Sequence, residues 1–192
     1  MAQTEQKNQN VKKQFEELQS LLERAMALQT SMVLFEWDDE TLAPKGAAEH
    51  TARVIGSLSE QYQEILASMR FKELLDVCQK AEKENAGVFD EVQSAILREA
   101  AEEQERLSCI PPEEYRAYAE LTARATGIWT RAREKNDFAS FAPVLKEIIS
   151  YQKKFAAYRA KPGQKLYDVM LDTYEKGFNM EMLDPFFELM KG

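Results

Sequence analysis

From Val11 onward apolar residues recur at intervals of three and four. Val11, Phe15, Leu18, Leu22, Ala25 and Met32 share one stripe of a helix. Leu21, Leu28 and Phe35 widen the stripe, so this helix is expected to be covered on more than one side. It should end between Asp38 and Leu42, because Pro44 and Gly46 follow. Residues 1–10 are polar and read as a flexible leader, which leaves 11–192 as a single helical domain.

The same periodicity predicts further helices. The second starts just past Gly46 and carries Val54, Ile55, Leu58, Tyr62, Ile65, Leu66 and Met69. The third runs through Phe71, Leu74, Leu75 and Cys78 and stops at Asn85 and Gly87, where a left-handed cap costs least. The fourth carries Val88, Val92, Ala95, Ile96, Ala100 and Leu107, with a solvated Glu/Arg face opposite.

Pro111 and Pro112 break the chain, and Pro at a first helical position followed by Glu113 and Glu114 suits a new helix N-terminus. That fifth helix holds Tyr115, Tyr118, Leu121, Thr122, Ala125, Ile128, Trp129 and Ala132. Asn136 and Asp137 form a turn, and Ser140 is the expected N-cap of the sixth helix, with Pro143 in its first turn. The sixth helix buries Val144, Leu145, Ile148, Ile149 and Phe155. After Pro162 and Gly163 come a short segment and a last helix opening near Asn179, which Pro185 should kink or restart at Asp184.

Seven Gly and six Pro in 192 residues favour long helices over a turn-rich sheet protein. No strand alternation and no internal repeat interrupts the pattern. The fold class is all-α, a multi-helix bundle of long antiparallel helices.

The polar start has no secretory character, and no stretch approaches the roughly 20 apolar residues of a membrane span. A net charge of −8 without a basic face argues against nucleic-acid binding. Cys78 and Cys109 lack metal-like spacing and read as reduced thiols, with a disulfide as the minor alternative. A cytoplasmic protein is the expectation.

Candidate chemistry is sparse. His50 is the sole histidine, and HExxH-type zinc sites need two histidines one helical turn apart. It reads as a surface residue. No phosphate loop, no G-x-S-x-G elbow and no Cys–His pairing is present. Glu36, Asp38, Asp39 and Glu40 are dense enough to weigh as a hard-metal site, but carboxylates facing water at a helix end explain them at lower cost. The chain is therefore expected to hold no metal or other cofactor of its own.

Three stretches take the reading further. LFEWDDETLAPKGAAEH, Leu34 to His50, resembles the opening motif of the carboxypeptidase Taq family of zinc metallocarboxypeptidases. Trp37, Asp38, Glu40, Thr41, Pro44 and Gly46 match a W-D-x-E-T-x-x-P pattern with its following glycine, while Ala43 replaces the methionine usual before the proline. WTRAREKNDFASFAPVLKEII, Trp129 to Ile149, is similar to that family's W-x-x-A-R-x-x-N-D-F-x-x-F-x-P-x-L segment. YDVMLDTYEKGF, Tyr167 to Phe178, resembles its Y-D-x-L-L-D-x-Y-E-x-G element.

The resemblance implies the amino-terminal part of a larger helical metallopeptidase fold, usually homodimeric, which removes C-terminal residues from peptides. It also implies zinc or another divalent metal in a full-length parent, held by an HExxH helix and a downstream glutamate. Those elements follow the region represented here, so no catalytic or metal residue transfers, and the chain alone is expected to be inactive. Its partners would be the missing catalytic half, peptide substrates of the parent, and a second copy.

The alternative is a natural truncated relative serving as a non-catalytic binding or dimerisation module. Trp37, Asp38, Glu40 and Thr41 are candidates for a substrate-groove wall. The plainer reading packs Trp37 in the core and uses Asp38 and Thr41 to fix the turn.

Overall fold

A computed structural model describes residues 2–44 and 46–191. Among them are eight helices and no strand: α1 (Ala2–Thr41), α2 (Ala48–Ala67), α3 (Met69–Glu84), α4 (Glu91–Ser108), α5 (Pro112–Glu134), α6 (Phe138–Arg159), α7 (Leu166–Tyr174) and α8 (Met180–Lys191). No described helix is long and apolar enough to cross a membrane.

The 40 residues of α1 make a rod about 60 Å long. It takes in residues 2–10, where the sequence predicts a leader, and Lys7 in that stretch pairs with Glu84 of α3 at 2.8 Å. Ala, Gln, Glu and Lys are good helix formers, so a polar run extends a helix as readily as it frays. Met1 and Gly192, the outermost residues of the expected leader and domain, lie outside the described residues.

The core forms where the stripe of α1 meets α2, α3 and α4. Val11, Phe15, Leu18 and Ala25 pack with Leu66, with Phe71, Leu74, Leu75 and Cys78, and with Leu97, Ala100 and Leu107. Phe89 closes one end, its ring 5.0 Å from that of Phe15. α5 lies along α2 and then against α6, where Tyr118, Tyr151 and Phe155 cluster at centroid distances of 5.2–5.8 Å. α6 carries α7.

Gly56 permits the α2–α5 approach. A Cβ there would stand 2.3 Å from Cγ of Glu120, which pairs with Arg116, which in turn reaches Glu60. Gln63, 0% exposed, donates from Nε2 to the carbonyls of Leu107 and Ile110 at 3.1 and 2.7 Å, tying α2 to the chain at and just past the end of α4.

Two helix starts differ from the sequence reading, and that of the last helix falls where the sequence predicts, near Asn179. α4 begins at Glu91 rather than Val88, because Asp90 and Gln93 form a reciprocal capping box and leave Val88 and Phe89 buried ahead of it. The N-cap of α6 is Asp137, not Ser140: its carboxylate accepts the Ser140 N–H at 3.2 Å, which places Pro143 inside the helix. α8 starts at Met180, with Asn179 accepting the Met182 N–H, and runs through Pro185 without restarting at Asp184.

Of the residues expected to widen the covered stripe of α1, Leu21 packs against the core and Leu28 is half-buried, whereas Phe35 is exposed together with Met26, Val33, Leu34 and Trp37. α8 buries no residue at all, and Met182, Phe186, Phe187, Leu189 and Met190 face outward. The accessible surface is 13106 Å². A closed monomer of 22.1 kDa would present about 9,300 Å². Among the described residues these apolar faces lack a partner.

Candidate functional site

The end of α1 runs beside the start of α2, and the middle of α5 closes the third side of a groove of about 260 Å³. Glu36, Asp39 and Glu40 lie three and four residues apart, so they share the face of α1 that looks into this groove. Thr51, Thr122 and Thr126 supply hydroxyls, and Ala48, Ala52 and Ala123 leave the space open. The Thr122 hydroxyl donates to the carbonyls of Tyr118 and Ala119, and that of Thr126 to Thr122, so their lone pairs remain available as acceptors. Desolvation raises the Glu36 carboxyl above its ordinary value, and the Glu40 carboxylate adds to the effect.

Of the four residues marked in the sequence, only Glu40 lines this groove. Trp37 is 57% exposed, so in this chain it is not a core anchor. The Thr41 hydroxyl donates to the Trp37 carbonyl at 2.6 Å. Asp38 ends the helix through its backbone, its carbonyl accepting from Leu42 and Ala43 at 2.9 and 2.8 Å. The three threonines went unmarked because they sit on other helices, far away in sequence. Only the carboxylate spacing on α1 pointed toward the groove.

The remaining motifs divide into joints and bare aromatics. Asn136 adopts φ 51°, a left-handed conformation that asparagine tolerates, and Asp137 behind it caps α6. Asp168 accepts the Met180 N–H at 2.9 Å, and Asp172 accepts that of Gly177 at 2.8 Å, where φ is 81°. These residues fix the turns around α6, α7 and α8. Trp129, Tyr167 and Tyr174 of the same motifs are exposed, as Trp37 is. Trp129 has the Arg133 guanidinium 5.2 Å over its ring.

Metal chemistry finds no fit among the described residues. His50 is exposed at the start of α2, and no group of three His, Cys, Asp or Glu is placed to hold an ion. Cys78 and Cys109 are free thiols, and burial pushes Cys78 up to about 11. The groove can accept hydrogen bonds from a donor-rich or positively charged group.

Comparison with known proteins agrees with the three motifs. The model of the family described as Carboxypeptidase Taq (M32) metallopeptidase matches residues 17–192. Carboxypeptidase 1 of Bacillus subtilis is 34% identical over 171 residues, which cover 89% of this chain and 33% of that protein. Thermostable carboxypeptidase 1 of Pyrococcus furiosus is 30% identical over 168 residues, 88% of this chain and 32% of that one.

Among solved structures, the BsuCP crystal structure superposes with a TM-score of 0.87 at 32% identity, covering 93% of this chain and 35% of that one. Metallocarboxypeptidase 1 of Trypanosoma cruzi gives a TM-score of 0.72 at 26% identity, over 93% and 35% of the two chains. The chain thus spans about a third of the length of the relatives it matches.

Proposed function

This chain belongs to the Carboxypeptidase Taq (M32) metallopeptidase family, and on that premise we propose that it is the amino-terminal helical portion of a metallocarboxypeptidase that removes C-terminal residues from peptides. The observation that carries this reading is the split within its motifs. Residues that cap helices and set turns are satisfied internally, whereas Trp37, Trp129, Tyr167 and Tyr174 lie bare. Aromatic side chains supply large contact areas, and four of them uncovered at motif positions mark surfaces made to be covered.

About two thirds of the length of the relatives lies outside the part that this chain spans, and that part is the partner proposed for those surfaces. Zinc or another divalent metal belongs to that part too, because the donor set here does not fit one. With a single exposed histidine, this chain is not the catalyst. Its contribution is a wall: Glu36, Asp39 and Glu40 bring carboxylates to a groove that could face a peptide, with Trp37, Asp38 and Thr41 setting the end of α1. The proposed setting is the cytoplasm, with a second copy as a further partner.

The test is release of C-terminal residues from a blocked peptide with added zinc. The chain alone should release none. A chain extended through the remaining length of the family should release them. Turnover by the isolated chain, proportional to its concentration and retained through further purification, would mean that the catalytic groups lie within these 192 residues.

A further inference from the structure

A second cleft, of about 760 Å³, lies between α4, the end of α6 and α7, away from the groove beside α1. We propose that it is a seat for a small oxyanion, a carboxylate in the first instance, held by Arg159. The proposal does not depend on the family reading, because it comes from how the charges around Arg159 are shared out.

Arg159 stands in the last turn of α6, and its Nε donates to the Arg106 carbonyl at 3.2 Å. That is its single hydrogen bond among the described residues, and it leaves both Nη groups unengaged. Of the three other cations that line the cleft, Arg106 and Lys176 have carboxylates of their own, while Lys161, two residues on, makes no ion pair among the described residues and adds to the positive charge there. Arg106 holds Glu103 through Nε and Nη2 at 2.9 and 2.6 Å, and Tyr62 donates its hydroxyl to the same Glu103 at 3.1 Å. Lys176 pairs with Glu102 and lies 3.6 Å from Glu99. Asp172 is engaged by the Gly177 N–H, and Glu105 lines the cleft without coming within pairing distance of Arg159.

Arg159 is therefore a half-buried guanidinium beside a second guanidinium, with a carbonyl as its partner. Burial, together with the charge of Arg106, lowers its pKa below the ordinary arginine value. A charge desolvated this far without a counter-ion is costly, and a planar pair of free N–H₂ groups matches the two oxygens of a carboxylate. The Nε contact to Arg106 fixes the plane of the fork in advance.

The chemistry could come from a free anion or from an acidic side chain of a longer polypeptide, and the arms of one experiment separate these. Thermal unfolding of the chain is followed in acetate and, in parallel, in inorganic phosphate, with sodium chloride holding ionic strength constant. A saturable rise in Tm of about 2–5 °C is expected with at least one of the two anions. Arg159→Gln should abolish the rise, and Lys146→Gln, which removes an exposed charge elsewhere on α6, should leave it intact.

In chloride alone Arg159→Gln should melt at or above the parent temperature, since it removes a repelled charge. Should that variant fail to fold, Arg159→Lys decides: it keeps the charge without the fork, and the rise should fall at least about threefold. No saturable rise with either anion, or the same rise in the Arg159 variants, overturns the proposal. In a chain extended through the family's remaining length, loss of the rise assigns the seat to an acidic side chain of that part, and persistence assigns it to a free anion.

Discussion

Gly56 and Gln63 are each held by a single physical requirement that a substitution can isolate. Gly56→Ala puts a methyl group against Cγ of Glu120, which is not the free end of that side chain, so the Glu60–Arg116–Glu120 set must shift. The expected loss is about 1–3 kcal/mol in urea unfolding. Gly127→Ala is the matched control, because nothing lies closer than 3.5 Å to the new atom. It should be neutral or gain up to about 1 kcal/mol.

Gln63→Ala leaves the Ile110 carbonyl without this donor and takes one of two from Leu107, whose carbonyl keeps the Ile110 N–H at 3.1 Å, and should cost about 1–3 kcal/mol. Cys78 makes a pH prediction. Its folded value of about 11 lies above the ordinary 9.0, so the folded state binds the thiol proton more tightly. That contribution is complete below pH 9 and declines as pH rises from 9 toward 11. Urea midpoints measured across that window should fall less in Cys78→Ala than in the parent, while Cys109 should react first with a thiol reagent.

At the scale of elements, caps and covers part company. Asp90→Ala removes one half of the capping box of α4 and should cost about 1 kcal/mol in the same assay. α8 lies at the other extreme. It buries nothing and is tied to α7 by the Asp168–Met180 hydrogen bond, so deletion of residues 180–192 should leave the midpoint of the remaining chain unchanged. A clear fall in that midpoint would show that α8 shares in the cooperative unit.

The helices were legible in the sequence because an apolar stripe of period 3.6 records which face is buried. Val11, Phe15, Leu18 and Ala25 are buried as their spacing predicts. Their starts were less legible, since capping is decided by which side chain wins the free N–H groups. Asp137 outcompetes Ser140, and Asp90 sets the start of α4 past Val88. The groove was legible only on α1, where one helical turn gathers three carboxylates. Thr51 and Thr122 meet them through tertiary packing, which no local pattern encodes.

At the scale of the molecule, the excess of surface over that of a closed monomer of this mass is the leading fact. Apolar faces on the outer half of α1 and on α8 should bind a hydrophobic dye in the native state. Light scattering should detect self-association that weakens when Phe186 and Phe187 are both changed to Ser. A strictly monomeric chain that binds no dye would contradict the idea that these faces await a partner.

The main core has a different consequence. Its buried members run from Val11 to Leu107, and of the later helices only Tyr115 of α5 packs against them. On a ribosome extending a chain at about 5–20 residues per second, this cluster can close while α5 and everything after it is still being synthesised. α1 to α4 then form a finished template waiting in the cell with bare hydrophobic flanks. The interval before those flanks are covered is a window for chaperone capture, and it lengthens with each residue still to be translated.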